Sequence, residues 1–260
     1  MKRSSGARIA ATLSVSALSL ALVTGCSDKG STDSEGGSKE SSAASSSDAK
    51  ALTSAELEKL LLTKSDLTGY EVDSGDDTIP QSKNDAKADK SACDPLVWAT
   101  TALPPGDTDA SASNAVTSVP SAASKDPSKL TEDDFTAALD VDATLVGLSS
   151  YDGDGAEKAL KSVSDAVAAC SGGYGVTAEG ETTKITKVAT EKGSGAGDAS
   201  VGYATDVDMD GEGTTTVHVD VVRKGNNVAT FYTINLAALT SGGKTAIPAE
   251  VVQAQIAKLK

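Results

Sequence analysis

Three cysteines, one histidine and a run of alternating aspartates are the residues with which this chain could do chemistry. "DVDMDGEG", residues 206–213, matches the opening of a calcium loop, D-x-D-x-D-G, in which alternate carboxylates converge on one hard cation. Such a loop needs a bidentate Glu at its twelfth position. Counting from Asp206, that position is Val217, on the apolar face of a strand pattern. The tract therefore reads as an exposed acidic strand face closing in an Asp-Gly turn, with Asp206, Asp208 and Asp210 as weak cation candidates. His218 shares a strand face with Asp220, a pair that a Ser–His–Asp relay could use, but no G-x-S-x-G elbow accompanies it. A zinc site needs three or four ligands. His218 thus reads as a solvated residue opposite a core face. There is no phosphate loop or dinucleotide fingerprint, so no catalytic residue, metal or cofactor is expected, and the chain does not read as an enzyme.

The cysteines are Cys26, Cys93 and Cys170. Cys26 ends an apolar run. Lys2, Arg3 and Arg8 form a basic start, and residues 9–25 carry no charge. This is the layout of a cleaved secretory signal. A spanning helix needs about 20 clearly apolar residues, whereas Thr12, Ser14, Ser16 and Ser19 dilute this run. Val23, Thr24 and Gly25 leading into Cys26 resemble a bacterial lipobox, in which the thiol takes a diacylglycerol and the new N-terminus is acylated, for example by palmitate. Two or more acyl chains anchor a protein stably. With Cys26 so used, an even pair remains in an oxidising compartment, and Cys93 and Cys170 are expected to bridge.

Removing residues 1–25 leaves 20 basic against 37 acidic residues, a net charge of −17, with Arg223 the one arginine. Nucleic-acid binding needs basic patches, so that class is excluded. Residues 27–50 hold nine serines and no large apolar residue; nothing there offsets the entropy of ordering. Such a tether spans about 25–30 Å root-mean-square. The chain divides into a signal peptide, 1–25, a lipidated Cys with a Ser-rich disordered tether, 26–50, and one domain, 51–260.

Within the domain, Thr53 and Glu56 make a capping box before Leu57, Leu60 and Leu61, which predicts a helix over 52–62. Residues 71–92 read as irregular. Asp94 and Pro95 open a helix carrying Leu96, Val97 and Trp98. Residues 104–130 read as a long loop. Alternation from Phe135 to Leu145 predicts a strand. Asp154 and Glu157 open a helix whose apolar face runs from Ala156 to Cys170, stopped by Gly172 and Gly173. Val201, Tyr203, Val207 and Met209 share one strand face. A hairpin around Gly225–Asn226–Asn227 puts Val217, Val219, Val221, Tyr232, Ile234 and Leu236 on one face, pairing Val219 with Tyr232 or, two residues slipped, with Ile234. Pro248 opens a last helix with Val252, Ile256 and Leu259 on its face. This order predicts an α+β fold, an antiparallel sheet with helices packed on one face.

The lipobox, the Ser-rich tether, "LTKSDLTGY" ending at Tyr70 and a Cys closing the first long helix are similar to actinobacterial lipoproteins. The layout resembles the extracellular sensor domain of mycobacterial PknH-type kinases. That resemblance implies an antiparallel sheet with helices forming a ligand cleft, and carries over no ligand residue. The expected function is a non-catalytic ligand-binding or sensing module on the outer face of the cell membrane. It would be held there by its lipid and would take a small apolar ligand or a cell-envelope partner. The other reading is an envelope structural or chaperone-like lipoprotein without a small ligand.

Overall fold

Strand-length alternation from residue 199 to 235 builds the centre of the molecule, and the helices close over both sides of it. The computed structural model describes residues 50–73, 79–80, 82–120, 131, 137–178, 180–211, 213–241 and 245–259. Cys26, the signal peptide, the tether up to residue 49 and Phe135 lie outside these. In chain order the elements are α1 (Ser54–Glu58), β1 (Tyr70–Asp73), β2 (Ala86–Ala88) and a 3-10 turn (Ser91–Cys93) running into α2 (Asp94–Thr100). Then come β3 (Ser111–Ser118), β4 (Asp142–Ser150), α3 (Gly155–Ala169), β5 (Tyr174–Ala178), β6 (Glu181–Glu191) and β7 (Ala199–Asp208). β8 (Thr214–Lys224), β9 (Asn227–Asn235), α4 (Leu236–Ser241) and α5 (Ala249–Lys258) complete the chain. Among the described residues, no helix is long and apolar enough to cross a membrane.

The strands form one antiparallel sheet in the order β1-β3-β4-β9-β8-β7-β6-β5-β2. The α+β class therefore holds. The β8–β9 hairpin turns at Gly225–Asn226, with Lys224 opposite Asn227 and Val219 opposite Tyr232. Of the two registers open to the sequence, the structure takes the one that pairs Val219 with Tyr232.

Helices cover both faces of the sheet, where one was expected. On one side α2 and α3 bury Leu96, Val97, Ala159 and Val163 against Tyr203, Val219 and Val221. On the other, α1 and α5 bury Leu57, Val251, Val252 and Ile256 against Val146, Leu148, Val222 and Phe231. The reason lies in β4 and β9, whose central residues are buried on both faces. A strand of that kind needs cover on each side.

Local chemistry explains the boundaries. Thr53 and Glu56 cap α1 reciprocally. The helix stops at Glu58, short of the expected 62, because the chain beyond is tied to buried Gln255 instead. The Gln255 amide donates to the Leu60 carbonyl at 2.8 Å and accepts from the Leu62 amide at 3.1 Å. Cys93 occupies the cap position of α2, and the Asp94 carboxylate accepts from the Ala88 amide, tying the helix to β2. Asp154 precedes α3 without a side-chain cap bond and pairs with Lys158.

Several expected boundaries moved. The loop expected over 104–130 contains β3, whose small, polar sequence SASNAVTS hides a strand lying between β1 and β4; residues 121–130 are outside the described set. β1 and β2 likewise occupy the stretch read as irregular. The strand expected from Phe135 begins at Asp142, and Leu139 is exposed. Leu236 opens α4 at 45% exposure and Met209 sits at a strand end at 39%, so neither joins the core face.

Candidate functional site

The bridge expected between Cys93 and Cys170 is present, with Cα atoms 5.9 Å apart. It joins the turn before α2 to the end of α3, where Gly173, at φ +86°, lets the chain leave the helix. Cys26, the expected lipid site, is outside the described residues. The aspartates of 206–210 do not converge. Asp206 accepts from the Thr216 hydroxyl at 2.7 Å, Asp208 from the Gly211 amide at 3.2 Å, and Asp210 sits in the turn at φ +54°. Among the described residues, no group of three or more His, Cys, Asp or Glu side chains gathers as a metal set.

His218 departs from expectation. Its face of the sheet is covered rather than open, because α5 and the segment after β6 lie across it. Its Nδ1 stands 2.7 Å from Glu191 Oε2, across β7. Asp220, two residues on, is only 3% exposed. One of its oxygens accepts from the Ser194 amide at 3.1 Å, and the other has no partner among the described residues. Burial pushes this carboxyl above the ordinary aspartate range. A cavity of about 450 Å³ beside these groups is also lined by Thr245, Ile247 and Val252. The arrangement orients an imidazole with a carboxylate, but among the described residues no hydroxyl or thiol nucleophile is hydrogen-bonded to the ring. Another cavity, about 630 Å³, runs along Leu62 and Asn114 and borders Asp73 and Ile79, on either side of residues outside the described set.

The third cavity is built by the sheet itself, on the α2–α3 side. Ile185 and Val188 are three residues apart, which a period-two strand would send to opposite faces. β6 resolves this with a bulge: Ile185 stands opposite Val207 and Lys187 opposite Asp206. The extra residue restores both apolar side chains to one core. Ile185 in turn stands opposite Tyr174 on β5. A second row runs from Leu145 on β4 through Tyr232 and Val219 to Tyr203 on β7. The two rows floor an open cleft of about 270 Å³, walled by Leu145, Val176, Ile185, Val207, Tyr174, Tyr232 and Thr205.

The end of α2 forms the cleft's rim with Thr100 and Thr101. It can lie this close because position 147 on β4 is glycine. A Cβ there would stand 2.6 Å from the Ala102 carbonyl oxygen and 2.6 Å from Thr230 Oγ1. Ala102 adopts φ +57°, a left-handed conformation that ends the helix directly against the sheet.

Three of the chain's five tyrosines meet here. Tyr203 is fully buried beneath the cleft, and its hydroxyl donates to the Leu96 carbonyl at 3.3 Å. Burial pushes its phenol well up, and nearby Tyr174 and Tyr232 add to the effect. Burial also raises Tyr174, and pushes Tyr232 up to about 12. The Tyr174 and Tyr232 hydroxyls have no hydrogen-bond partner among the described residues. Two neutral donors thus face a wall of aliphatic side chains, the composition of a binding pocket: mostly apolar, with few polar groups fixing orientation. Tyr232 was legible as a strand residue on the face of Val219. Tyr174 was not singled out, and the signal for it was the three-residue spacing of Ile185 and Val188, which marks the bulge.

No protein-family model matches the chain, and no curated protein matches it. Among solved structures, it is similar to the extracellular domain of PknH from Mycobacterium tuberculosis, at 15% identity over 80% of this chain and 95% of that one, with a TM-score of 0.45.

Proposed function

We propose that this chain is an extracytoplasmic lipoprotein, anchored through Cys26, whose domain binds a small ligand in the tyrosine cleft without altering it. The observation that carries this reading is the cleft's lining. Two tyrosine hydroxyls without partners among the described residues line the cleft beside aliphatic and threonine side chains, and among those residues no carboxylate, amine, imidazole or thiol lines it. Such a surface can hold and orient a molecule, and its threonine and tyrosine hydroxyls have no base beside them among the described lining residues to activate them. The anchor is supported by the basic start, apolar run, lipobox and polar follow-on at residues 1–50.

The test is native mass spectrometry of the full-length chain released from its own membrane. The expected spectrum has acyl chains on residue 26 and a second, non-covalent mass that departs on mild activation. Acylated chain with no further mass in repeated preparations favours an envelope structural or chaperone-like protein. Chain without acyl groups contradicts the anchor.

A further inference from the structure

The tyrosine cleft differs from the rest of this molecule in charge. The chain after residue 25 has 20 basic and 37 acidic residues, yet among the described residues none lines the cleft. We infer that the ligand of the tyrosine cleft is an uncharged amphiphile, an apolar body bearing a carbonyl, ester or ether oxygen that accepts from Tyr174 or Tyr232. This inference rests on the cleft being the binding site, as proposed above, and adds the ligand's chemical class.

The argument has two parts. A charged group moved from water into an apolar site is penalised unless a counter-charge or several hydrogen bonds meet it. Leu145, Val176, Ile185 and Val207 supply neither, Thr100, Thr101, Thr183 and Thr205 add only neutral hydroxyls, and the phenols stay neutral through the physiological range, so among the described residues no counter-charge meets the ligand. An uncharged oxygen carries a much smaller desolvation cost, and one hydrogen bond offsets it. The phenols are free to provide that bond, since Tyr174 is only 4% exposed yet its hydroxyl has no partner among the described residues, and Tyr232 is part-buried in the same condition. A ligand wholly without oxygen would leave both hydroxyls desolvated and unpaired, which disfavours a pure hydrocarbon. The acidic exterior works the other way at long range, drawing in cations. Preference for a neutral ligand over a cation therefore has to come from the cleft.

Three probes of one size separate these cases: benzamide, benzoate and benzylamine, titrated into the full-length chain and followed by the ring protons of Tyr174 and Tyr232. Benzamide is expected to shift both rings. Benzoate and benzylamine should bind at least about tenfold more weakly, a factor that one lost hydrogen bond or one poorly solvated charge supplies. Tyr174→Phe with Tyr232→Phe should weaken benzamide about five- to tenfold while keeping the ring volume, so the fold is not at issue. Equal or tighter binding of either charged probe at these rings overturns the ligand class and leaves the site standing. Failure of all three to shift either ring overturns the inference, and with no retained mass on the native chain it overturns the site as well.

Discussion

The sulfurs of Cys93 and Cys170 are bonded across 77 residues of chain, with their Cα atoms 5.9 Å apart. The bridge holds the start of α2 against the end of α3, both on the tyrosine side of the sheet. Between them the chain passes through α2, β3, β4 and α3. The crosslink closes this long loop and so restricts the unfolded chain. Cys93→Ser, or reduction of the wild type, should lower stability by about 2–5 kcal/mol. Denaturant unfolding read by Trp98 fluorescence checks this, and an unchanged midpoint would remove the bridge from the account.

Gly147 should not tolerate a side chain. A Cβ would meet the Ala102 carbonyl oxygen and Thr230 Oγ1, both at 2.6 Å, and neither belongs to a long flexible side chain. Gly147→Ala should cost about 1–3 kcal/mol by overpacking and push the end of α2, with Thr100 and Thr101, away from the cleft. Thermal melting gives the first effect. Amide shifts confined to residues 97–103 and their sheet neighbours give the second.

Acid should loosen the contact between Asp66 and Lys258. The lysine stands 2.7 Å from the carboxylate, and its hydrogen bond, helped by Thr63, holds the Asp66 carboxyl down to about 2. A depressed carboxyl stabilises the fold above its unfolded value of about 3.9, and that contribution is lost as pH falls through the folded value. The pair is partly exposed, so its contribution is small and salt-screened. Asp66→Asn should flatten the fall in stability between about pH 4 and 2, and leave the slope above pH 5 unchanged.

Asp220 has the opposite sign. Burial raises its carboxyl, so the folded state holds its proton more tightly than the unfolded chain does. That stabilisation is complete below the unfolded value and fades as pH rises through the folded one. Asp220→Asn keeps an acceptor for the Ser194 amide and removes the buried charge. The variant should match or exceed wild-type stability at pH 7 and lose that advantage at pH 3.5, as paired melting curves would show.

Cys26→Ala should abolish acylation and leave the signal peptide uncleaved. Detergent partitioning and intact mass test this together, and a membrane-bound, correctly processed variant would contradict the anchor.

α1, α2, α3, α5 and the β7–β9 region were legible because their signals are local. The Thr53–Glu56 box, the apolar face from Ala156 to Cys170 and the alternation through Val217, Val219 and Val221 each need only neighbouring residues. β3 was hidden because a strand in the interior of a sheet takes its hydrogen bonds from β1 and β4, and its own side chains, such as Ser113 and Ala115, need carry little hydrophobic signal. The covering of both sheet faces was hidden for a related reason. In the β4 run VGLSS, successive rather than alternate residues are buried, and the alternation read from Phe135 stopped at Leu145, just before it. His218 was misplaced as a consequence: a face taken to be open lies beneath α5. The cleft depended on Ile185 sharing a face with Val188, which only a bulge permits.

The most direct test of the central claim is to locate the ligand. The full-length chain, recovered from its membrane with its non-covalent ligand retained, can be examined for nuclear Overhauser contacts between ligand protons and protein side chains. The account predicts contacts to the rings of Tyr174 and Tyr232 and to the methyl groups of Ile185 and Val207. Contacts instead to Val252 and Ile247, beside His218 on the opposite face of the sheet, would contradict it.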